Sequence, residues 1–184
     1  MGLLPRPAAQ PLHPHCRGYL SQSRYLVALG SNQCHPLLGS PREVVAAAAD
    51  LIDETLGSVL AFSPVIDSAP VGPSLRRYAN AALVLESVLD PLDLLAALQW
   101  LETQLGRQRR GQRWRSRVID LDMVLWSGGV VAERHLAVPH PLFRSRDFVL
   151  GPAAAIAPQW RDPLTGLTLA HLHARLTRRR PLPR

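Results

Sequence analysis

At 184 residues, 47% of them hydrophobic, and with a net charge of +7, the chain has the size of one domain and material for a real core. All 21 basic residues are arginine, which excludes a Walker A nucleotide loop and Schiff-base lysine chemistry. No apolar run approaches the ~20 residues of a membrane-spanning helix, and Cys16 and Cys34 make no disulfide framework, so a cytoplasmic protein is expected.

Residues 1–23, rich in Pro, His and Gln, read as a disordered leader whose short apolar stretches are broken by proline, unlike a secretory signal. The His13, His15 and Cys16 cluster has no second half and is not read as a zinc site. Order begins at YLVALGSN, a strand closed by a turn at Gly30 and Asn32. SPREVVAAAADLIDETLG, 40–57, is a helix. Ser40 caps it, Pro41 takes the first helical position, Glu43 completes a capping box and Gly57 stops it. SVLAFSPVIDS is a second strand with Pro64 at a bulge or edge. After a loop, 69–77, YANAALVLES is a third strand.

A second helix, DPLDLLAALQWLETQLGR, runs from the cap Asp90 to Gly106. An arginine-rich loop, 107–117, leads into a fourth strand, VIDLDMVLW, turned by Gly128 and Gly129. ERHLAVPHPLFRSR reads as irregular. A short helix in DFVLGPAAAIAP and an amphipathic piece, LTLAHLHARL, close the domain, taken as 24–176, before a flexible basic tail, 177–184. The order strand, helix, strand, strand, helix, strand predicts an α+β fold. The expected sheet is ferredoxin-like and antiparallel, with helices on one face and the other left for loops or for a ligand, the face on which an active site is expected.

Alternation along the fourth strand puts Ile119, Leu121, Met123 and Leu125 against the helices, and Asp120 and Asp122 on the other face with Val118, Val124 and Trp126. The two carboxylates lie about 7 Å apart at Cα. Side by side on an apolar face they repel and are costly to desolvate, and a hard cation removes both penalties. Read alone, the pair is either solvated or a metal site. Read alone, the arginine loop suits nucleic acid or phosphate equally. Together they favour a compact polyphosphate such as ATP with Mg²⁺, because bare carboxylates would repel nucleic-acid phosphates at the centre of the patch. On the third strand Tyr78 and Asn80 share a face with Ala82 and Val84, an aromatic ring beside an amide that suits a flat, hydrogen-bonding heterocycle. His140, fixed between prolines in VPHP, either touches phosphate or caps a turn.

YLVALGSN, APVGP followed by YANAALVLES, LETQLGR, RWRSRVIDLDMVL and VPHPLFRSRDFVL occur in this order. Together they resemble the 6-hydroxymethyl-7,8-dihydropterin pyrophosphokinase family over about residues 24–175. The most specific stretch runs from Arg117 to Asp122. The resemblance implies transfer of diphosphate from ATP to the pterin's hydroxymethyl oxygen with release of AMP, in folate biosynthesis. It implies two Mg²⁺ ions on Asp120 and Asp122. Arg107 and Arg117 would be catalytic along with the aspartates. ATP would be bound by Gln99, Glu102, Arg107, Arg109, Arg113, Arg117, His140 and Arg146. The pterin would be bound by Ser68, Ala69, Val71, Tyr78, Asn80 and Phe148, with the loops 69–77 and 107–117 as mobile lids. ATP and the pterin are the expected partners, with no nucleic acid and no membrane, on a monomer. Three departures from the family pattern are Arg115, where a small residue is usual, His135, where many members carry a basic side chain just before VPHP, and the 23-residue leader, which has no counterpart in the family's minimal domain.

Overall fold

The computed structural model describes residues 22–69, 76–106 and 118–178. A central antiparallel sheet holds β1 (Ser23–Ser31), β2 (Ser58–Phe62), β3 (Ile66–Ser68), β4 (Tyr78–Ser87) and β5 (Asp120–Trp126). Its order is β2-β4-β1-β5, with β3 continuing the β2 edge of β4 beyond Pro64. Taking β2 and β3 as one interrupted strand, this is the expected ferredoxin-like order. Pro64 falls at the break in the edge strand, where a missing N–H costs no ladder bond.

The helices α1 (Pro41–Thr55) and α2 (Pro91–Gln104) form where their caps stand. Ser40 N–H donates to Glu43 Oε2 at 2.6 Å, and Asp90 Oδ1 accepts from Leu92 and Asp93 N–H at 2.9 Å each. Val44, Ala48 and Ile52 of α1 and Leu94, Leu98 and Leu101 of α2 join the odd-numbered residues of β4 (Ala79, Ala81, Leu83, Leu85) in one core on the first sheet face. On the opposite face, α3 (Asp147–Ile156) and α4 (Leu169–Thr177) bury Leu26, Ala82, Val84 and Phe143 in a second core. The second face is thus not left wholly open. α3 and α4 cover part of it, and Gly30, Asp120 and Asp122 stay partly exposed on the rest.

Two local expectations are corrected. The stretch 133–146, read as irregular, takes in the end of β6 (Val131–Glu133) and all of β7 (Leu136–Val138), which pair as a hairpin whose Leu136 and Val138 enter the first core. The alternation of β5 also fails midway. Leu26 pairs with Leu125 and Val27 with Met123, so Val124 is an extra, bulged residue. Leu125 therefore turns to the second core and Trp126 to the first, the reverse of their expected faces.

Candidate active site

The β-ladder builds the floor of the site from three strands. Gly30 of β1 stands in register between Asn80 of β4 and Asp120 of β5. Two residues along, Ala28 stands between Ala82 and Asp122. Cross-strand partners share a face, so Gly30, which has no side chain, leaves a trough between the Asn80 amide on one side and the aspartates on the other, closed at Ala28, which is buried in the second core. Its walls are roughly 10 Å apart, two strand spacings. Gly30, expected in a turn, lies inside β1, and a side chain there would occupy the trough beside Asn80 Oδ1. Glycine inside a strand signals such a close approach.

Asn80 is 4% exposed, and its Nδ2 donates to Ser68 Oγ at 2.9 Å. That bond turns Oδ1 toward Gly30 as an acceptor facing the trough. Ser68 is the cross-strand partner of Tyr78, so the amide, the hydroxyl and the aromatic ring gather at one end of β3 and β4. Phe148 sits in the first turn of α3, half-buried, with the Arg146 guanidinium 5.8 Å from its ring centroid. α3 packs on β4 and touches β3, which brings Phe148's helix to the strands carrying Ser68, Tyr78 and Asn80. Ala69 follows β3 and is exposed.

The bulge at Val124 places the histidine. Its carbonyl oxygen accepts from His140 N–H at 3.0 Å, which docks the VPHP segment against β5. His140 Nε2 then lies 4.0 Å from Asp122 Oδ2. His140 Nδ1 accepts from Leu142 N–H at 3.2 Å, so in the neutral ring the proton sits on Nε2, the nitrogen that faces the carboxylate. Burial pushes the imidazole below its ordinary pKa. Asp122 and Asp120 oppose that shift and Arg146 adds to it. At neutral pH His140 is a neutral N–H donor at the carboxylate end of the trough.

Glu102, expected at the nucleotide, is 2% exposed, and its Oε1 accepts from Leu121 N–H at 2.9 Å. Leu121 stands between the two aspartates on the outer edge of β5, so Glu102 satisfies an edge N–H and ties α2 to the strand that presents them. Gln99 lies half-buried three residues earlier on the same helix. The ends of the arginine segment also come together: a side chain added at Gly106 would meet Val118 Cγ2 at 4.0 Å. Arg107, Arg109, Arg113, Arg115, Arg117 and Val71 lie outside the described residues.

Among the described residues no three His, Cys, Asp or Glu side chains cluster as a metal cage. Two carboxylates on one face, Asp122 with 41% of its side chain exposed, are the donor set that suits a hard cation drawing its remaining oxygens from substrate and water.

A family model described as 7,8-dihydro-6-hydroxymethylpterin-pyrophosphokinase (HPPK) matches residues 26–158. The chain belongs to this family. The 2-amino-4-hydroxy-6-hydroxymethyldihydropteridine pyrophosphokinase of Pseudomonas aeruginosa is 41% identical over 142 residues, 76% of this chain and 84% of the relative. The enzyme of the same name from Haemophilus influenzae is 35% identical over 71% of this chain and 79% of its own. Among solved structures, the wild-type HPPK-DHPS of Plasmodium falciparum superposes with a TM-score of 0.67 at 13% identity, over 84% of this chain. The chain spans 45% of that protein's length, and the likeness establishes the HPPK fold alone.

Proposed function

We propose that the trough is where this pyrophosphokinase joins its two substrates, the pterin at the Asn80 wall and the ATP phosphates at the aspartate wall. As in its family, the chain transfers diphosphate from ATP to the hydroxymethyl group of 6-hydroxymethyl-7,8-dihydropterin in folate biosynthesis. The observation that supports the assignment of the two walls is the Asn80–Gly30–Asp120 register, in which an amide and a carboxylate face each other across a residue without a side chain.

In this reading Asn80 Oδ1 accepts from an N–H edge of the pterin while Ser68 holds the amide in that orientation. Tyr78 and Phe148 supply aromatic faces to the ring, and Ala69 and Val71 line its pocket. His140 Nε2–H and Arg146 donate to phosphate oxygens. Arg107, Arg109, Arg113 and Arg117 add guanidinium forks that match such oxygens two at a time. Gln99 lies on the nucleotide side, and Glu102 acts through Leu121. Asp120 and Asp122 would hold two Mg²⁺ ions, which when bound neutralise phosphate charge and polarise the reacting oxygens. The pterin hydroxymethyl oxygen attacks the β-phosphorus and the bond from that phosphorus to the oxygen of the α-phosphate breaks. AMP leaves with the electron pair and the hydroxyl proton goes to solvent. The protein's share is alignment and charge, since this chemistry asks for little covalent participation. The same reading takes the enzyme as a cytoplasmic monomer. Among the described residues no helix is long and apolar enough to cross a membrane.

The test is to mix the protein with ATP, Mg²⁺ and the pterin and to separate the nucleotides. Pterin-dependent AMP is expected, and ADP in its place would refute diphosphate transfer. Asp120→Ala and Asp122→Ala should each abolish AMP formation with the circular dichroism spectrum unchanged. Unfolding of both variants would make the aspartates structural.

A further inference from the structure

The segment joining α3 to α4 contains a fully buried carboxylate. Asp162 is 0% exposed, in an irregular stretch where an ionised group is costly to desolvate. Its oxygens are saturated. Oδ2 accepts from Arg144 Nε at 2.8 Å and Oδ1 from Arg144 Nη2 at 2.6 Å, a two-point fork. Thr165 Oγ1 donates to Oδ2, and Leu164 N–H donates to Oδ1 at 3.2 Å. The backbone of Asp162 is held as well, its N–H donating to Leu167 O at 2.9 Å and its carbonyl accepting from Gly166 N–H at 2.8 Å. Asp162 also lies beyond residue 158, where the family match ends.

The other partner sits in a sensitive place. Arg144 is the middle residue of the short 3₁₀ turn Phe143–Ser145. His140 precedes that turn and Arg146 follows it. Both are tied by backbone to Phe143: its N–H donates to His140 O at 3.2 Å, and its carbonyl accepts from Arg146 N–H at 3.3 Å. These bonds are long and a single 3₁₀ turn is weak by itself. Phe143, fully buried in the second core, pins the turn from one side. The Arg144–Asp162 fork, with the guanidinium 4.6 Å from the Phe143 ring centroid, pins it from the other.

We infer that Arg144 and Asp162 act together as positioning residues, a brace by which residues beyond the family-matched region hold His140 and Arg146 in register with the ATP phosphates. The inference rests on reading those two side chains as phosphate contacts. His140→Ala and Arg146→Ala test that reading separately through the KM for ATP.

The brace itself is tested in the full chain with Arg144→Lys, which keeps the charge but not the fork, and Asp162→Asn, which keeps the shape but not the charge. AMP formation is followed against ATP and against pterin, at a temperature where circular dichroism shows each variant folded. The expected result is a KM for ATP raised, or a kcat lowered, by about ten- to a hundredfold, as a misplacement near 1 Å produces. The KM for pterin should be unchanged, and Arg144→Asp combined with Asp162→Arg should restore part of the loss. Should Asp162→Asn fail to fold, Arg144→Lys carries the test. Variants that unfold earlier but keep both ATP constants would overturn the inference, leaving the pair a stability element only. If the two alanine variants also keep the wild-type KM for ATP, the phosphate reading has failed; if they alone raise it, only the brace has.

Discussion

Gly30→Ala should move stability and activity in opposite directions. The position is inside a strand, where glycine costs about 0.5–1 kcal/mol relative to alanine, and its backbone is not among the positive-φ glycines. The added methyl would meet Asn80 Oδ1 at 3.5 Å, an ordinary contact, so nothing in the core has to shift. The melting temperature should therefore rise by about 1–4 °C for a domain of this size. The same methyl stands where the heterocycle must approach Asn80, and it separates a buried acceptor from its donor at a cost of about 1–3 kcal/mol. That corresponds to a KM for pterin raised roughly 5- to 150-fold. Differential scanning calorimetry and AMP formation at varied pterin measure both. A more stable protein with an unchanged KM would show that the pterin does not lie across β1, and a less stable one would refute the reasoning about the strand.

Glu102→Gln keeps an acceptor for Leu121 N–H and should retain most activity, whereas Glu102→Leu leaves that N–H without its acceptor at 2.9 Å and should lower both kcat and the melting temperature, a cost of about 1–3 kcal/mol. Tyr25→Phe, at the far end of the sheet, removes the 2.6 Å hydrogen bond to Leu89 O. It should cost about 1–2 kcal/mol in urea unfolding and leave both KM values alone. Burial pushes the Asp162 carboxyl upward, but the hydrogen bonds from Arg144, Thr165 and Leu164 outweigh it and hold the group below its ordinary 3.8. A depressed folded value means that its stabilisation is full above the unfolded value, near about 3.9, and is lost as pH falls through the folded one. Melting temperatures of the wild type should therefore fall below about pH 4 along a steeper acid limb than those of Asp162→Asn.

The helices were legible because their ends are written locally. Ser40-Pro41 with Glu43, and Asp90-Pro91, each satisfy helix N–H groups within four residues, and the structure keeps both. The aspartate pair was legible for the same reason, since alternation holds from Ile119 to Met123. It fails at Val124 because MVLW is apolar throughout, and no local pattern says which residue is extra. Only pairing with β1 decides that. Gly30 was misread as part of a turn because glycine usually punctuates, while its place here is fixed by two partner strands distant in sequence. The surroundings of His140 depend on the carbonyl that the bulge turns outward, so the two prolines announced a rigid histidine without saying what it would face. Asp162, in RDPLTG, looks like a solvated loop acid, and its partner 18 residues away leaves no local trace.

The meeting of Gly106 and Val118 has a consequence for how this chain can change. Gly106 and Val118 stand close together in space, so the sequence that joins them closes a loop anchored at one place on the domain. The entropy of closing such a loop rises slowly with its length, by about 0.6 kcal/mol for each doubling. Insertions, deletions and rewritten arginine spacing between those two residues are therefore nearly neutral for the stability of the sheet. Variation can accumulate between those two residues with little effect on the fold, while β1, β4 and β5 are held to the slower tempo of packing. A foreign sequence spliced in at the same two residues would inherit a ready-made mount beside a pair of carboxylates.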